Sequence, residues 1–189
     1  TPPLEFQERG KEQLRSYGAQ IVNATVDSVT DNDRTLTATL SNGETIAARS
    51  IIVASGVDDE HPAIPGLQEN WGNTVLHCPY CHGYEVADKK LGVLYIGEFS
   101  FHHAAVLRQW SKDITFFTNG MEFTDEQRAD LTRRGIALID DPVTAFQDGK
   151  VLLESDEHAV DALFYMPIPR PHDEFLADLD LERHSPPSG

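Results

Sequence analysis

Apolar positions along this chain follow two rhythms, and the changes between them outline its elements. Period-two alternation through Ile21-Val22-Asn23-Ala24-Thr25-Val26 and Thr35-Leu36-Thr37-Ala38-Thr39-Leu40 predicts two half-buried strands joined by a turn at Asp31-Asn32-Asp33. Ser41-Asn42-Gly43-Glu44 carries the Asn-Gly pair of a tight hairpin. Continuous apolar runs at Ser50–Gly56, Leu91–Gly97 and Ile114–Phe117 predict strands buried on both faces, as in a parallel sheet. Ile136–Ile139 and Val160–Met166 read as further strands, and Val143–Phe146 pairs with Val151–Glu154 around Asp148-Gly149. Between Pro2-Pro3 and Gly18 a helix is expected, with a loose apolar face of Leu4, Leu14 and Tyr17. A second helix is expected from Phe101 to Lys112. A third opens on Thr124 with Gln127 as a capping box and ends at Gly135.

Strand, helix, strand, helix, strand from Leu91 to Ile139 is a βαβαβ unit, so the fold class is α/β with a parallel sheet. Asp58 to Gly66, with Pro62 and Pro65, reads as a linker. Pro167, Pro169 and Pro171 break the last strand pattern, and the tail Ser185–Gly189 is expected to fray. No internal repeat is visible.

Composition narrows the function. With 189 residues, 40% hydrophobic and 24% charged, the chain has the make-up of a soluble globular protein. A formal net charge of −16 argues against nucleic acid and against anionic membrane surfaces, both of which need clustered Lys and Arg. No apolar run approaches the ~20 residues of a membrane span, and the start, Thr1-Pro2-Pro3-Leu4-Glu5-Phe6, is neither a signal nor a transit peptide. A reducing cytoplasm is the expected setting.

The chemistry lies in His77-Cys78-Pro79-Tyr80-Cys81-His82-Gly83-Tyr84-Glu85, which holds the chain's two cysteines. A single pair excludes a structural disulfide framework. Cys-x-x-Cys spacing puts a resolving sulfur within reach of an attacking one, and a neighbouring base lowers the thiol pKa. His82 is a candidate general acid–base for the thiol proton, with Glu85 to orient it. Other readings stay open at this point. A zinc half-site would need two more ligands, for which His102-His103 is the nearest source outside the segment. Two inert buried thiols are the bland reading. Cys-Pro-Tyr-Cys is also the glutaredoxin tetrapeptide, but there a long helix follows near the chain start, whereas here Gly83 comes within two residues.

The order of features resembles the thioredoxin reductase-like family of FAD-dependent disulfide oxidoreductases. A strand ending Ala54-Ser55-Gly56 is similar to their Ala-Thr-Gly strand end. Pro65-Gly66 resembles their interdomain linker, and the cysteine pair with its acid–base residue is followed by a strand ending in Gly97 before a helix. The resemblance implies a parallel-sheet, nucleotide-binding-like central domain at 59–165 that carries the cysteines. It is inserted into a partial FAD-binding domain formed by 1–58 and 166–189. By that resemblance Cys81 faces the flavin and Cys78 exchanges with substrate, while Val26, Ala54, Ser55 and Gly56 fall on the FAD side. It implies a small-molecule dithiol or disulfide, or a thioredoxin-like protein, as partner, and a homodimer. His82 stands where bacterial thioredoxin reductases carry an aspartate, which looks more like the dithiol oxidases of the family.

Two departures from the family pattern matter. The NADPH turn Gly-x-Gly-x-x-Gly or Ala is here Gly97-Glu98-Phe99-Ser100-Phe101-His102. Only its first glycine remains, Phe99 would crowd the phosphate path, and Glu98 would repel it. The next strand ends Phe117-Thr118-Asn119-Gly120, without the basic cluster that holds a 2′-phosphate. NADP binding is therefore doubtful. The family's opening FAD turn and closing Gly-Asp segment are also not found in the sequence, so the chain is expected to be a fragment that holds FAD loosely. The expected activity is flavin-dependent thiol–disulfide exchange that leans to an oxygen-dependent or NADPH-independent member. The alternatives are an NADPH-dependent reductase and a non-catalytic zinc-binding or scaffold domain.

Overall fold

A computed structural model describes residues 2–182, and these form two compact units, 2–56 with 172–182 and 57–171. The tail 185–189 lies outside the described residues.

The first unit contains α1 (Pro3–Ser16), β1 (Val26–Asp31), β2 (Leu36–Leu40), β3 (Thr45–Ala48) and a 3-10 helix, Glu174–Leu179, which lies against β1. The strands form an antiparallel sheet in the order β1-β2-β3. Gly43, at φ 84°, closes the β2–β3 turn and its N–H donates to the Leu40 carbonyl at 2.8 Å. That left-handed backbone is why glycine stands there. Val29, Ala38 and Leu40 are the buried residues of this sheet.

Three expectations are corrected in and beside this unit. Ile21–Thr25 is not strand: β1 begins at Val26, because the tight turn with Asp33 at φ 57° sets Asp31 opposite Leu36 and fixes the register from there. Ser50–Gly56 is not a buried strand either. It has no ladder among the described residues, and Ile52 is 93% exposed. A two-sided buried strand is defined by its neighbours, which an apolar run alone cannot supply. The apolar face of α1 likewise covers nothing among the described residues, since Leu4, Leu14 and Tyr17 are all exposed.

The second unit runs through β4 (Val57–Glu60), β5 (Val75–Leu76), α2 (Pro79–His82), β6 (Leu91–Leu94), α3 (Phe99–Leu107), β7 (Ile114–Phe117) and α4 (Asp125–Arg133). It continues with β8 (Ala137–Ile139), β9 (Val143–Gln147), β10 (Lys150–Leu153), β11 (Glu157–Ala159), β12 (Ala162–Phe164) and β13 (Ile168–Pro171). Five strands make a wholly parallel sheet in the order β5-β12-β6-β7-β8, which is the α/β class expected. Every residue of β6 and β7 is buried. Alternate side chains serve two cores. Val93 and Phe116 pack with Leu107 of α3 and Leu131 of α4, while Leu94 and Phe117 pack with Val143, Phe146 and Val151 of the antiparallel β9-β10-β11 layer. The expected capping box opens α4: the Thr124 hydroxyl accepts from the Gln127 N–H at 3.2 Å, and the Gln127 side chain accepts from the Thr124 N–H at 2.9 Å.

The expected linker at 58–66 is partly strand. β4 pairs antiparallel with β13, a ribbon the sequence pattern did not suggest because β13 contains Pro169 and Pro171. A two-stranded ribbon tolerates proline where the missing N–H would point outward. Gly66, at φ 87°, then lets the chain turn under Phe146, whose carbonyl oxygen would lie 1.7 Å from any Cβ placed there.

Candidate redox site

β5 delivers His77 and Cys78 to the single turn α2, where Cys78 sits in extended conformation (φ −100°, ψ 113°) as the N-cap and Pro79 follows with its fixed φ. The Cys78 sulfur accepts the Cys81 N–H at 3.3 Å, a role usually filled by Ser or Asp. The turn ends as the Gly83 N–H donates to the Pro79 carbonyl at 2.7 Å. Gly83 is required by space rather than by backbone angle. A Cβ there would come within 2.4 Å of the Pro79 oxygen and 2.5 Å of the Trp110 indole nitrogen.

Both cysteines are free thiols, and their sulfurs lie 2.6 Å apart. A small side-chain rotation would bring them to the ~2.05 Å of a disulfide. The pair is electrostatically divided. The hydrogen bond from the Cys81 side chain, then the N–H groups of Cys81 and Tyr80, hold the Cys78 thiol below its ordinary pKa against the opposing effect of burial. Donating to Cys78 pushes the Cys81 thiol up, and burial adds to that. Of the two, Cys78 is thus the more readily ionised and Cys81 the one that holds its proton more tightly. His82 directs Nδ1 to the Glu85 carboxylate at 3.3 Å, so the acid–base candidate and its orienting group do meet, on an exposed face.

On the other side of Cys78 the structure gathers His77 with residues from elsewhere in the chain. His77 stacks on Trp71 (6.3 Å, 13°) and lies 6.2 Å from the ring of His103. His103 is 2% exposed, and burial, then the neighbouring His77 and His102, lower its pKa to about 4. Its Nδ1 finds no hydrogen-bond partner among the described residues. His103, Cys78, Phe99, Val106 and Met166 share a cavity of about 140 Å³. Phe99, His103 and Val106 fall at i, i+4 and i+7 of α3, a helical spacing present in the sequence. Met166 arrives from the far end of the chain and carried no signal. Among the described residues, no three His, Cys, Asp or Glu side chains are arranged to hold a metal ion.

At the head of α3, Glu98 and Phe99 occupy the turn after β6, and the Phe99 ring packs on His102 (5.0 Å) and edge-on to His103 (5.1 Å). The Ser100 hydroxyl is internal, donating to the Leu94 carbonyl and accepting from the Ile96 N–H. A cavity of about 530 Å³ opens beside this turn, lined by Glu98, Phe99 and His102 and by Met166–Pro169.

In the first unit, Val26, Ala54 and Ser55 share the wall of a cavity of about 750 Å³, and Gly56 (φ 76°) lies next in the chain but not in the wall. The Ser55 hydroxyl donates to the His172 carbonyl at 2.5 Å. The wall is largely apolar and its charged residues are the acids Asp27 and Glu174. It suits the apolar edge of a dinucleotide and offers no cation to a pyrophosphate.

A dithiol pair on a one-turn helix, set beside a parallel dinucleotide-type sheet, is an arrangement suited to thiol–disulfide exchange. Several known proteins are similar to this chain. A thioredoxin reductase (sirT) of Leptosphaeria maculans is 30% identical over 140 residues, which are 67% of this chain and 43% of that protein. The crystal structure of HlmI superposes with a TM-score of 0.88 at 37% identity, covering 98% of this chain and 61% of the other. An oxidoreductase from Agrobacterium tumefaciens gives a TM-score of 0.89 at 32% identity, covering 100% and 65%. A family model described as lycopene cyclase protein also matches, over residues 4–87 only. That match is under half the chain and stops before β6. Along nearly its whole length the chain is similar to thioredoxin reductases and related oxidoreductases. It spans less than half the length of the curated relatives it matches. No helix among the described residues is long and apolar enough to cross a membrane.

Proposed function

We propose that this chain carries the redox pair of a flavin-dependent thiol–disulfide oxidoreductase that works without NADPH and oxidises dithiols. The observation that carries the reading is the divided pair, with sulfurs 2.6 Å apart, Cys78 favoured as thiolate and Cys81 as thiol. In the oxidising direction the Cys78–Cys81 bridge is opened by one sulfur of a substrate dithiol. The second substrate sulfur displaces Cys78, and both cysteines end as thiols while the substrate leaves as a disulfide. His82, oriented by Glu85, accepts and returns the thiol protons. FAD, when bound, supplies the two-electron acceptor that restores the bridge, with molecular oxygen as the final acceptor to give peroxide.

In this reading the first unit is the FAD-side part, with Val26, Ala54 and Ser55 walling the nucleotide and Gly56 turning the chain out of it. The second unit is the nucleotide-binding-like domain that carries the cysteines. The substrate is a small-molecule dithiol or a thioredoxin-like protein, and the protein acts as a cytoplasmic homodimer. Independence from NADPH is supported by the turn after β6. Phe99 and His102 pack together where the family pattern has small residues, and Glu98 stands at the helix end that would meet phosphate.

Stopped-flow absorbance of the full-length protein tests this. A small dithiol should bleach the flavin, Cys81→Ser should keep the flavin bound but prevent the bleaching, and NADPH should leave it oxidised. Bleaching by NADPH within milliseconds would replace this reading with the NADPH-dependent reductase.

A further inference from the structure

The segment that leaves the cysteine turn, residues 83–91, is tied to the loop that follows α3 at three points. The Trp110 carbonyl accepts the Asp88 N–H at 2.9 Å, the Ser111 hydroxyl donates to the Lys89 carbonyl at 2.6 Å, and the Asp113 carbonyl accepts the Leu91 N–H at 2.9 Å. Ser111 is buried, and its hydroxyl also accepts the Asp113 N–H at 3.0 Å, so the loop holds its own shape while it holds the segment. Asp88 stands at φ 60°, a left-handed backbone that a residue other than glycine keeps only where its surroundings fix it. The Trp110 side chain meets the turn itself. The place of a Gly83 Cβ is flanked by the Pro79 carbonyl oxygen at 2.4 Å and by Trp110 Nε1 and Cδ1 at 2.5 and 2.6 Å. The indole also packs on the core cluster that contains Val86 and Leu107. What it contributes there is bulk, since Nε1 is buried without a hydrogen-bond partner among the described residues.

We propose that Trp110 is a positioning residue for the cysteine pair: its indole seats the α2 turn so that the Cys81 N–H stays aimed at the Cys78 sulfur. A single turn of helix does not hold its shape alone in water. α2 is closed by one bond at its end, from the Gly83 N–H to the Pro79 carbonyl, and Trp110 stands against Gly83 at that bond. Without the indole, Gly83 has open space beside it. The closing turn can then unwind, and the donor that favours negative charge on Cys78 moves away from the sulfur. Trp110 therefore acts through the turn and not on the substrate. The proposal rests on the redox reading in taking Cys78 as a reacting sulfur.

The test is the pH profile of iodoacetamide labelling at Cys78 in the full-length protein, reduced with tris(2-carboxyethyl)phosphine without oxygen and read by peptide mass spectrometry. The titratable groups around Cys78 are Cys81 on its own turn and Tyr80, His77, His102 and His103 about the recess, and every variant keeps them. Trp110→Ala should move the profile to higher pH. Labelling below pH ~8 should fall by at least about twofold, the low end of what one hydrogen bond contributes, while the rate at high pH, where both thiols are ionised, should not fall. Trp110→Phe, which keeps most of the bulk, should restore most of the native profile. Val151→Ala opens a gap in the other core and lowers stability with the turn untouched, so its Cys78 profile should match the native one. Trp110→Leu takes the place of Trp110→Ala if that variant does not fold, with the same expectation. A profile that stays at its native pH in Trp110→Ala, or that moves as far in Trp110→Phe or Val151→Ala, overturns the positioning role and leaves the redox reading standing. Failure of native Cys78 to label faster than Cys81 near pH 7 overturns the redox reading itself.

Discussion

The backbone N–H of Cys81 donates to the sulfur of Cys78 at 3.3 Å, and the Cys81 thiol lies 2.6 Å from the same sulfur. One residue therefore supplies two of the contacts that favour negative charge on the other, and the Tyr80 N–H adds a third. The asymmetry comes from direction. In the first turn of a helix N–H groups point back toward the N-cap, so Cys78 is the member that receives them.

Cys78 should accordingly be the first thiol alkylated. Its pKa is depressed, so near pH 7 a larger share is thiolate than for a free cysteine of pKa ~8.5, and the advantage fades above pH ~9, where ordinary thiols ionise as well. The stability linked to this shift has the same sign: it is present above the unfolded-state pKa and lost as pH falls through the folded one. Iodoacetamide labelling followed by peptide mass spectrometry reads the order. Cys81→Ala should slow Cys78 labelling at pH 7, because the contact that does most to lower the Cys78 pKa is lost. Faster labelling of Cys81 in the native protein would contradict the assignment.

His82 and Glu85, 3.3 Å apart, should behave as a base and its orienting group. His82→Ala is expected to slow turnover by ~10²–10⁴-fold. Glu85→Gln, which keeps a hydrogen bond but not the charge, should cost less than ~10-fold. The pH–rate profile of the full-length protein distinguishes the roles, and a threefold effect or less for His82→Ala would assign the proton transfer elsewhere.

Gly83→Ala should disturb the cysteine turn without removing any of its reacting groups. Its new methyl would lie within 2.6 Å of Trp110 Cδ1 and 2.5 Å of Nε1, so either the indole or the turn must move, at a cost of ~1–3 kcal/mol. Urea unfolding should show the loss, and Cys78 should label more slowly as the N–H groups swing away from its sulfur. An unchanged midpoint together with an unchanged labelling rate would show that the turn tolerates the side chain.

Legibility in the sequence followed the range of the interaction. The capping box at Thr124 and Gln127, the Gly43 turn and the fully buried β7 depend on residues close in the chain, and they stand where the pattern put them. The α3 helix was displaced: it begins at Phe99, directly after the Gly97-Glu98 turn, and ends at Leu107. Beyond that end the Ser111 hydroxyl binds the Lys89 carbonyl and Arg108 binds the Ser111 carbonyl, contacts that apolar periodicity does not register. Ser50–Gly56 had the right composition for a buried strand but has no neighbouring strand among the described residues.

By itself the sequence determined the cysteine spacing, the two histidines that flank the pair, the parallel-sheet class and the loss of small residues at the turn after β6. These follow from covalent neighbours and from local periodicity. Only the tertiary structure decided which sulfur is favoured as thiolate and that Gly83 makes room for Trp110. It also decided that His103 and Met166, far from the cysteines in the chain, share a cavity with Cys78. Burial, desolvation and unpartnered atoms are properties of what packs around a group, and chain order does not specify that packing.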